Sequence, residues 1–162
     1  IFRHGVAAYI KEAAAAGFDG LIVPDLPLEE AAALAPLLAE AGLANVLLIA
    51  PTTPPDRRYR IAAASQAFIY YVSVAGITGQ RDSLPPETAG AVADLRKHTD
   101  TPICVGFGIS KPETVESICR VADGAIVGSA IIRRITDHKN DPREKLVESV
   151  GRFVGELLQP IT

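Results

Sequence analysis

Apolar residues along this chain fall into two alternating kinds of segment. In "VAAYIKEAAAAG" and "EEAAALAPLLAEAG" they recur at helical spacing, and each stretch stops at a glycine, Gly17 and Gly42. Glycine takes the positive φ that closes a helix. "DRRYRIAAAS", "PETAGAVADLRKHT", "PETVESICRVA", the short "SAIIRRIT" and "PREKLVESVGRFVGELL" read as further helices. Between them lie short runs that are apolar at every position: "LIVP", "VLLIA", "FIYYVS", "ICVGF" and "GAIVG". Strands without polar alternation belong to a parallel sheet covered on both faces, and regular strand–helix alternation makes right-handed βα units. The pattern predicts an α/β fold with about five parallel strands.

Two architectures fit that order. One is a doubly wound sheet of the flavodoxin type. The other is part of a (β/α)8 TIM barrel, which runs to about 250 residues when whole. The chain has 162 residues and is read as a single domain, 1–162. It contains no methionine and starts on a helix with Ile1. A strand is expected before that helix, so the sequence reads as the C-terminal part of a longer chain.

Composition narrows the function. The chain is 48% hydrophobic with a net charge of −3, which speaks against nucleic acid or an anionic membrane as main partner. No run is long enough to span a bilayer. Cys104 and Cys119 sit in apolar segments, as thiols do in a reducing, cytoplasmic compartment. His4, His98 and His138 are scattered without metal-ligand spacing, so no metal site is expected.

The chemistry gathers at glycines. Gly106 and Gly108 lie at the tip of "ICVGF" and its extension, while Gly128 ends "GAIVG" and Ser129 opens the short helix. Loops after the last two strands of a barrel, with a short extra helix, often bind phosphate. Bare strand tips let an anion reach unpaired helix N–H groups. Any one of these glycines also fits an ordinary turn. Ser110, in "SKPE", reads as the cap of a capping box with Glu113. Asp25 follows a buried strand and either meets substrate or starts the next helix, with Pro27 in its first turn. In "FIYYV", alternation places Phe68, Tyr70 and Val72 on one face and Ile69 and Tyr71 on the other, so one tyrosine faces inward. That tyrosine serves either packing or a ligand. The long "VSVAGITGQRDSLPPE" connection has the length of a lid.

Taken in order, "DGLIVPDLPLEE", "LIAPTTP", "FIYYVSVAGITGQR", "VGFGIS" and "DGAIVGSAI" resemble the tryptophan synthase alpha subunit. The resemblance runs from Ile1 to about Ile135. It implies a lyase of tryptophan biosynthesis that cleaves indole-3-glycerol phosphate to indole and glyceraldehyde 3-phosphate. It implies no cofactor of the chain's own, and a beta subunit carrying pyridoxal phosphate as partner in an alpha2–beta2 tetramer. By resemblance Gly79, Gly108, Gly128 and Ser129 hold the glycerol phosphate. Phe107 and Tyr70 line the pocket, Ile22, Ile49 and Ile126 pack on the indole, and Thr78 sits on a closing loop. Asp25 remains a candidate for substrate contact. The family's two catalytic carboxylates lie before the position matching Ile1, so no catalytic residue is assigned and the chain alone is expected to be inactive. A phosphate-binding module without chemistry, and another phosphate-binding barrel such as an isomerase or epimerase, stand as alternatives.

Overall fold

The computed structural model describes residues 1–72, 84–106 and 108–161. The elements run α1 (Val6–Ala15), β1 (Gly20–Ile22), α2 (Leu28–Glu40), β2 (Ala44–Val46), β3 (Leu48–Ile49) and α3 (Pro55–Ala64). Then come β4 (Ile69–Val72), α4 (Pro86–Leu95), β5 (Ile103–Gly106), α5 (Pro112–Cys119), β6 (Gly124–Ile126), α6 (Ser129–Asp137) and α7 (Arg143–Leu158). A 3₁₀ turn, Gln159–Ile161, follows.

Both alanine-rich helices end as their glycines require. Gly17 has φ +85 and Gly42 φ +73. At the first, Gly17 N–H donates to Ala14 O and Phe18 N–H to Ala13 O; at the second, Gly42 donates to Ala39 and Leu43 to Leu38. These are Schellman closures, which turn the chain back into the next strand.

All pairings among the described residues are parallel: β1 with β2, and β3–β4–β5–β6 in that order. Within each ladder the strands follow chain order, with no reversal. A doubly wound sheet needs a switch point, so this topology is the barrel arc.

The single strand expected from "VLLIA" is divided at Leu47 into β2 and β3. The division has a hydrogen-bond cause. Asn45 N–H donates to Gln66 Oε1, Gln66 N–H to Asn45 O, and Leu47 N–H to Ser65 Oγ. The turn after α3 thus takes the Asn45 and Leu47 groups that point away from β1, and Tyr70 N–H donates to Leu47 O where β4 arrives.

One face of the sheet is packed against helices. Ile49, Ile69, Tyr71, Ile103 and Val105 are all no more than 1% exposed and cluster with Ile61, Val92, Leu95 and Ile118 from α3, α4 and α5. A second cluster joins α1, β1 and α2 through Ile10, Leu21, Leu34 and Leu38.

The capping box at Ser110 does not form. Helix α5 starts at Pro112, and Lys111 is its N-cap, without a side-chain capping bond. Proline at the first helical position sets the start by its fixed φ, one residue later than the box requires. Asp25 is likewise no cap: α2 begins at Leu28 behind Pro27, so Pro27 is the flanking residue and not part of the first turn.

Candidate active site

The site is built on the other face of the sheet. Paired residues of parallel strands share a face, so the register sorts the side chains. Tyr70 pairs with Leu48 and Cys104, and Cys104 with Gly124; Val72 pairs with Gly106, and Gly106 with Ile126. Each of these lies between residues of the packed face. Ile22, beyond buried Leu21 on β1, stands on the same open side and is 43% exposed.

Gly106 is bare for a reason that sequence patterning missed. A Cβ built there would fall 2.5 Å from the Tyr70 hydroxyl oxygen. The phenol lies across β5 at its C-terminal end, and only glycine leaves it room. Tyr70 is half-buried there, whereas Tyr71 is the packing tyrosine. Ile126 stands next to Gly106 on β6, half-buried.

Beyond the strand tips lie the two remaining glycines. Gly108 has φ +43, a conformation that an L side chain enters only with strain. It is followed by Ile109, buried at 2%, which anchors the segment in the core. Gly128 has φ −119, so its backbone places no demand for glycine, and a Cβ there meets nothing within 4 Å. Substitution at Gly128 therefore meets neither backbone strain nor a neighbouring atom among the described residues.

Helix α6 differs from its neighbours at its start. α3, α4 and α5 each carry proline in their first turn, and α2 and α7 follow an N-cap proline. Proline has no N–H to offer. α6 instead begins Gly128–Ser129, without a side-chain capping bond. Gly128 O accepts from Ile131 and Ile132, while no described residue accepts from Ser129 or Ala130 N–H. Among the described residues, then, two donors and the positive end of a helix are without a partner at the C-terminal end of β6.

Other predicted residues lie elsewhere. Ile49 is fully buried beside Tyr71 on the helix-packed face, opposite Tyr70, because it pairs with Tyr71 in register. There it packs in the core cluster with Tyr71 and Ile69. Asp25 is exposed in the turn where Leu26 N–H donates to Val23 O. Thr78, Gly79 and Phe107, with the long connection after β4, lie outside the described residues. Sequence reasoning also overlooked Arg58, which donates to Thr53 O at 2.7 Å and Pro51 O at 3.0 Å and braces the loop after β3.

Among the described residues no cluster of metal-ligating side chains occurs, and no helix is long and apolar enough to cross a membrane. A cavity of about 330 Å³ lies on the packed side, between α5, β6 and α7, away from the strand tips.

A parallel arc whose strands follow chain order, with glycines at its C-terminal rim, defines the class: part of a β/α barrel fold. The family model for the tryptophan synthase alpha chain matches residues 1–159, and the chain belongs to that family. It is 46% identical over 168 residues to the tryptophan synthase alpha chain of Rhodopirellula baltica, covering 99% of this chain and 60% of the relative. It is 50% identical to that of Chloroflexus aggregans, covering 98% of this chain and 58% of the relative. Among solved structures, the tryptophan synthase a2b2 complex of Pyrococcus furiosus superposes with a TM-score of 0.86 at 34% identity, covering 98% of this chain and 63% of that one. The aminoacrylate-bound tryptophan synthase of M. tuberculosis gives 0.82 at 30% identity, with 99% and 58% covered. The chain spans about 60% of the length of the curated relatives it matches.

Proposed function

We propose that this chain carries the glycerol-phosphate grip and aromatic cleft of a tryptophan synthase alpha chain. The reaction is the retro-aldol cleavage of indole-3-glycerol phosphate to indole and glyceraldehyde 3-phosphate. The observation that carries the reading is the start of α6, where Ser129 and Ala130 N–H have no acceptor among the described residues, with Gly108 past the tip of neighbouring β5. A phosphate seated there receives charge-assisted hydrogen bonds, and Ser129 adds a hydroxyl. Gly79 belongs to the same grip by resemblance. Tyr70 and Ile126, one layer down, face the aromatic ring, with Ile22 at its edge; by resemblance alone, Phe107 and Ile49 line the same pocket and Thr78 belongs to the loop that closes it.

Grip alone is binding, not catalysis. Cleavage requires a proton delivered to the ring carbon and another managed at the ring nitrogen. General acid–base groups supply about 10²–10⁴-fold each. No carboxylate of this chain matches the family's pair, so the chain by itself binds without cleaving. The partner in this reading is a beta subunit, supported by the likeness to the tryptophan synthase a2b2 complex of Pyrococcus furiosus; its docking closes the site for capture of indole. The cytoplasm suits such a biosynthetic enzyme.

Two measurements test this. Isothermal titration with glycerol phosphate should show binding that Gly128→Val abolishes. An indole-release assay should give none from the 162-residue chain and clear activity from a chain extended by the family's preceding strands. Unchanged affinity in Gly128→Val removes the grip. Robust indole release by the chain alone overturns the missing-carboxylate argument and points to Asp25.

A further inference from the structure

On the open face, β5 and β6 present few side chains. β5 offers Cys104 and bare Gly106; β6 offers bare Gly124 and Ile126. Tyr70, which shares the layer of Cys104 and Gly124, leaves it by leaning toward the tips over Gly106. The Cys104 sulfur leans the other way, across β6: a Cβ built on Gly124 would sit 3.0 Å from it. Ile103 and Val105 on either side are 0% exposed on the packed face, whereas Cys104 is half-buried. A ligand reaching inward from the rim therefore passes Tyr70 and Ile126 and next meets the thiol. The Cys104 layer is two residues below Gly106, about 6.6 Å along the strand.

We infer that Cys104, with the bare Gly124 beside it, forms the floor of the aromatic cleft and sets how deep a ring it accepts. The inference rests on the function proposed above and adds a specificity-determining residue to it. A thiol is small and polarisable, so it meets a ring edge closely while leaving depth that a leucine would fill. Gly124 keeps that depth open, because any side chain there displaces the sulfur.

The second cysteine is an internal control. Cys119 is also half-buried, but it lies on α5 and lines the cavity between α5, β6 and α7 with Val115, Ala125 and Leu157, a cavity that the Gly124 backbone also borders. The chain has no tryptophan, so indole binding can be followed by indole fluorescence without tryptophan background.

The experiment labels the 162-residue chain with iodoacetamide, with and without indole, and maps each thiol by mass spectrometry. Indole at ten times its Kd should slow Cys104 labelling about ten-fold, by 1 + [L]/Kd, and leave Cys119 unchanged. In parallel, Cys104→Leu should weaken indole about ten-fold or more while glycerol phosphate binds as before. Indole that binds and leaves Cys104 labelling unchanged, or protects both thiols alike, overturns the floor assignment and leaves the proposed function standing. Equal loss of both ligands in Cys104→Leu also overturns it. Cys104 inert without ligand refutes its place on the open face. Failure of indole to bind at all defeats the floor and the aromatic-cleft reading together.

Discussion

The two faces of this one sheet use neighbouring residues for opposite ends. On the packed face Ile69, Tyr71, Ile103 and Val105 are sealed under α3, α4 and α5. On the open face Tyr70, Cys104 and Ile126 are half-buried, and glycine occupies positions 106 and 124 between them. The adjacent tyrosines show the division most directly. Tyr71 is 1% exposed among aliphatic side chains, while Tyr70 lies across a glycine toward the rim. The packed face is chosen for volume; the open face is chosen for where space is left.

If that division is real, substitutions on the two faces should separate stability from binding. Ile103→Ala, on the packed face, should cost about 2–5 kcal/mol through lost burial and the cavity left behind. Urea unfolding measures it, and the molecules that remain folded should bind glycerol phosphate normally. A loss below half a kilocalorie would break the comparison, by showing that the packed face is loose.

Gly106→Ala should be smaller in stability and larger in function. The added methyl meets the Tyr70 ring and forces it aside, an overpacking cost of about 1–3 kcal/mol. Indole affinity should fall with it. Tyr70→Leu in the same chain should restore stability, because it removes the obstructed ring, but not indole affinity. Additive stability losses in the double variant would deny the contact.

Much of this was legible in the sequence, and the exceptions have physical causes. The helix stops at Gly17 and Gly42 and the strand order follow from local chemistry: positive φ, apolar runs and alternation. Alternation also separates Tyr70 from Tyr71. Pattern does not reveal a three-dimensional neighbour, so the reason for Gly106, which is the Tyr70 ring two strand residues away on β4, was invisible. Nor did pattern show that Ile49 would pair with Tyr71, where the ladder changes partner at Leu47. Ser110 failed differently: two valid start signals overlapped, and Pro112 fixed the helix one residue later.

At the rim the comparison can be sharpened. Gly128→Val should leave unfolding unchanged, since φ −119 is an ordinary value and nothing lies within 4 Å of its Cβ. Its glycerol phosphate binding should vanish. Ser129→Ala should be milder, losing one hydrogen bond to a charged group, about 1.5–3 kcal/mol of binding. Both are read by titration calorimetry beside a urea curve. A stability loss in Gly128→Val equal to its binding loss would make this glycine structural after all.

The smallest expected effect tests whether the packed side is electrostatically indifferent to ligand. Asp123, just before β6, accepts from Ile103 N–H at 2.8 Å and pairs with Arg96 at 2.8 Å. The backbone donor first, then the Arg96 guanidinium, holds its carboxyl below the usual value, against the opposing effect of burial. A lowered folded pKa means stability that is present above the unfolded value, about 3.9, and lost as pH falls through the folded one. The carboxylate is 38% exposed, so screening limits its worth to about 1 kcal/mol or less. Asp123→Asn should therefore lower stability slightly at neutral pH and flatten its decline below pH of about 4. Denaturant midpoints across that range measure it, with glycerol phosphate affinity at neutral pH unchanged. An unaltered acid profile would mean that the bond to Ile103 N–H does not discriminate between the charged and neutral carboxyl, and that β5 is held at its start by packing alone.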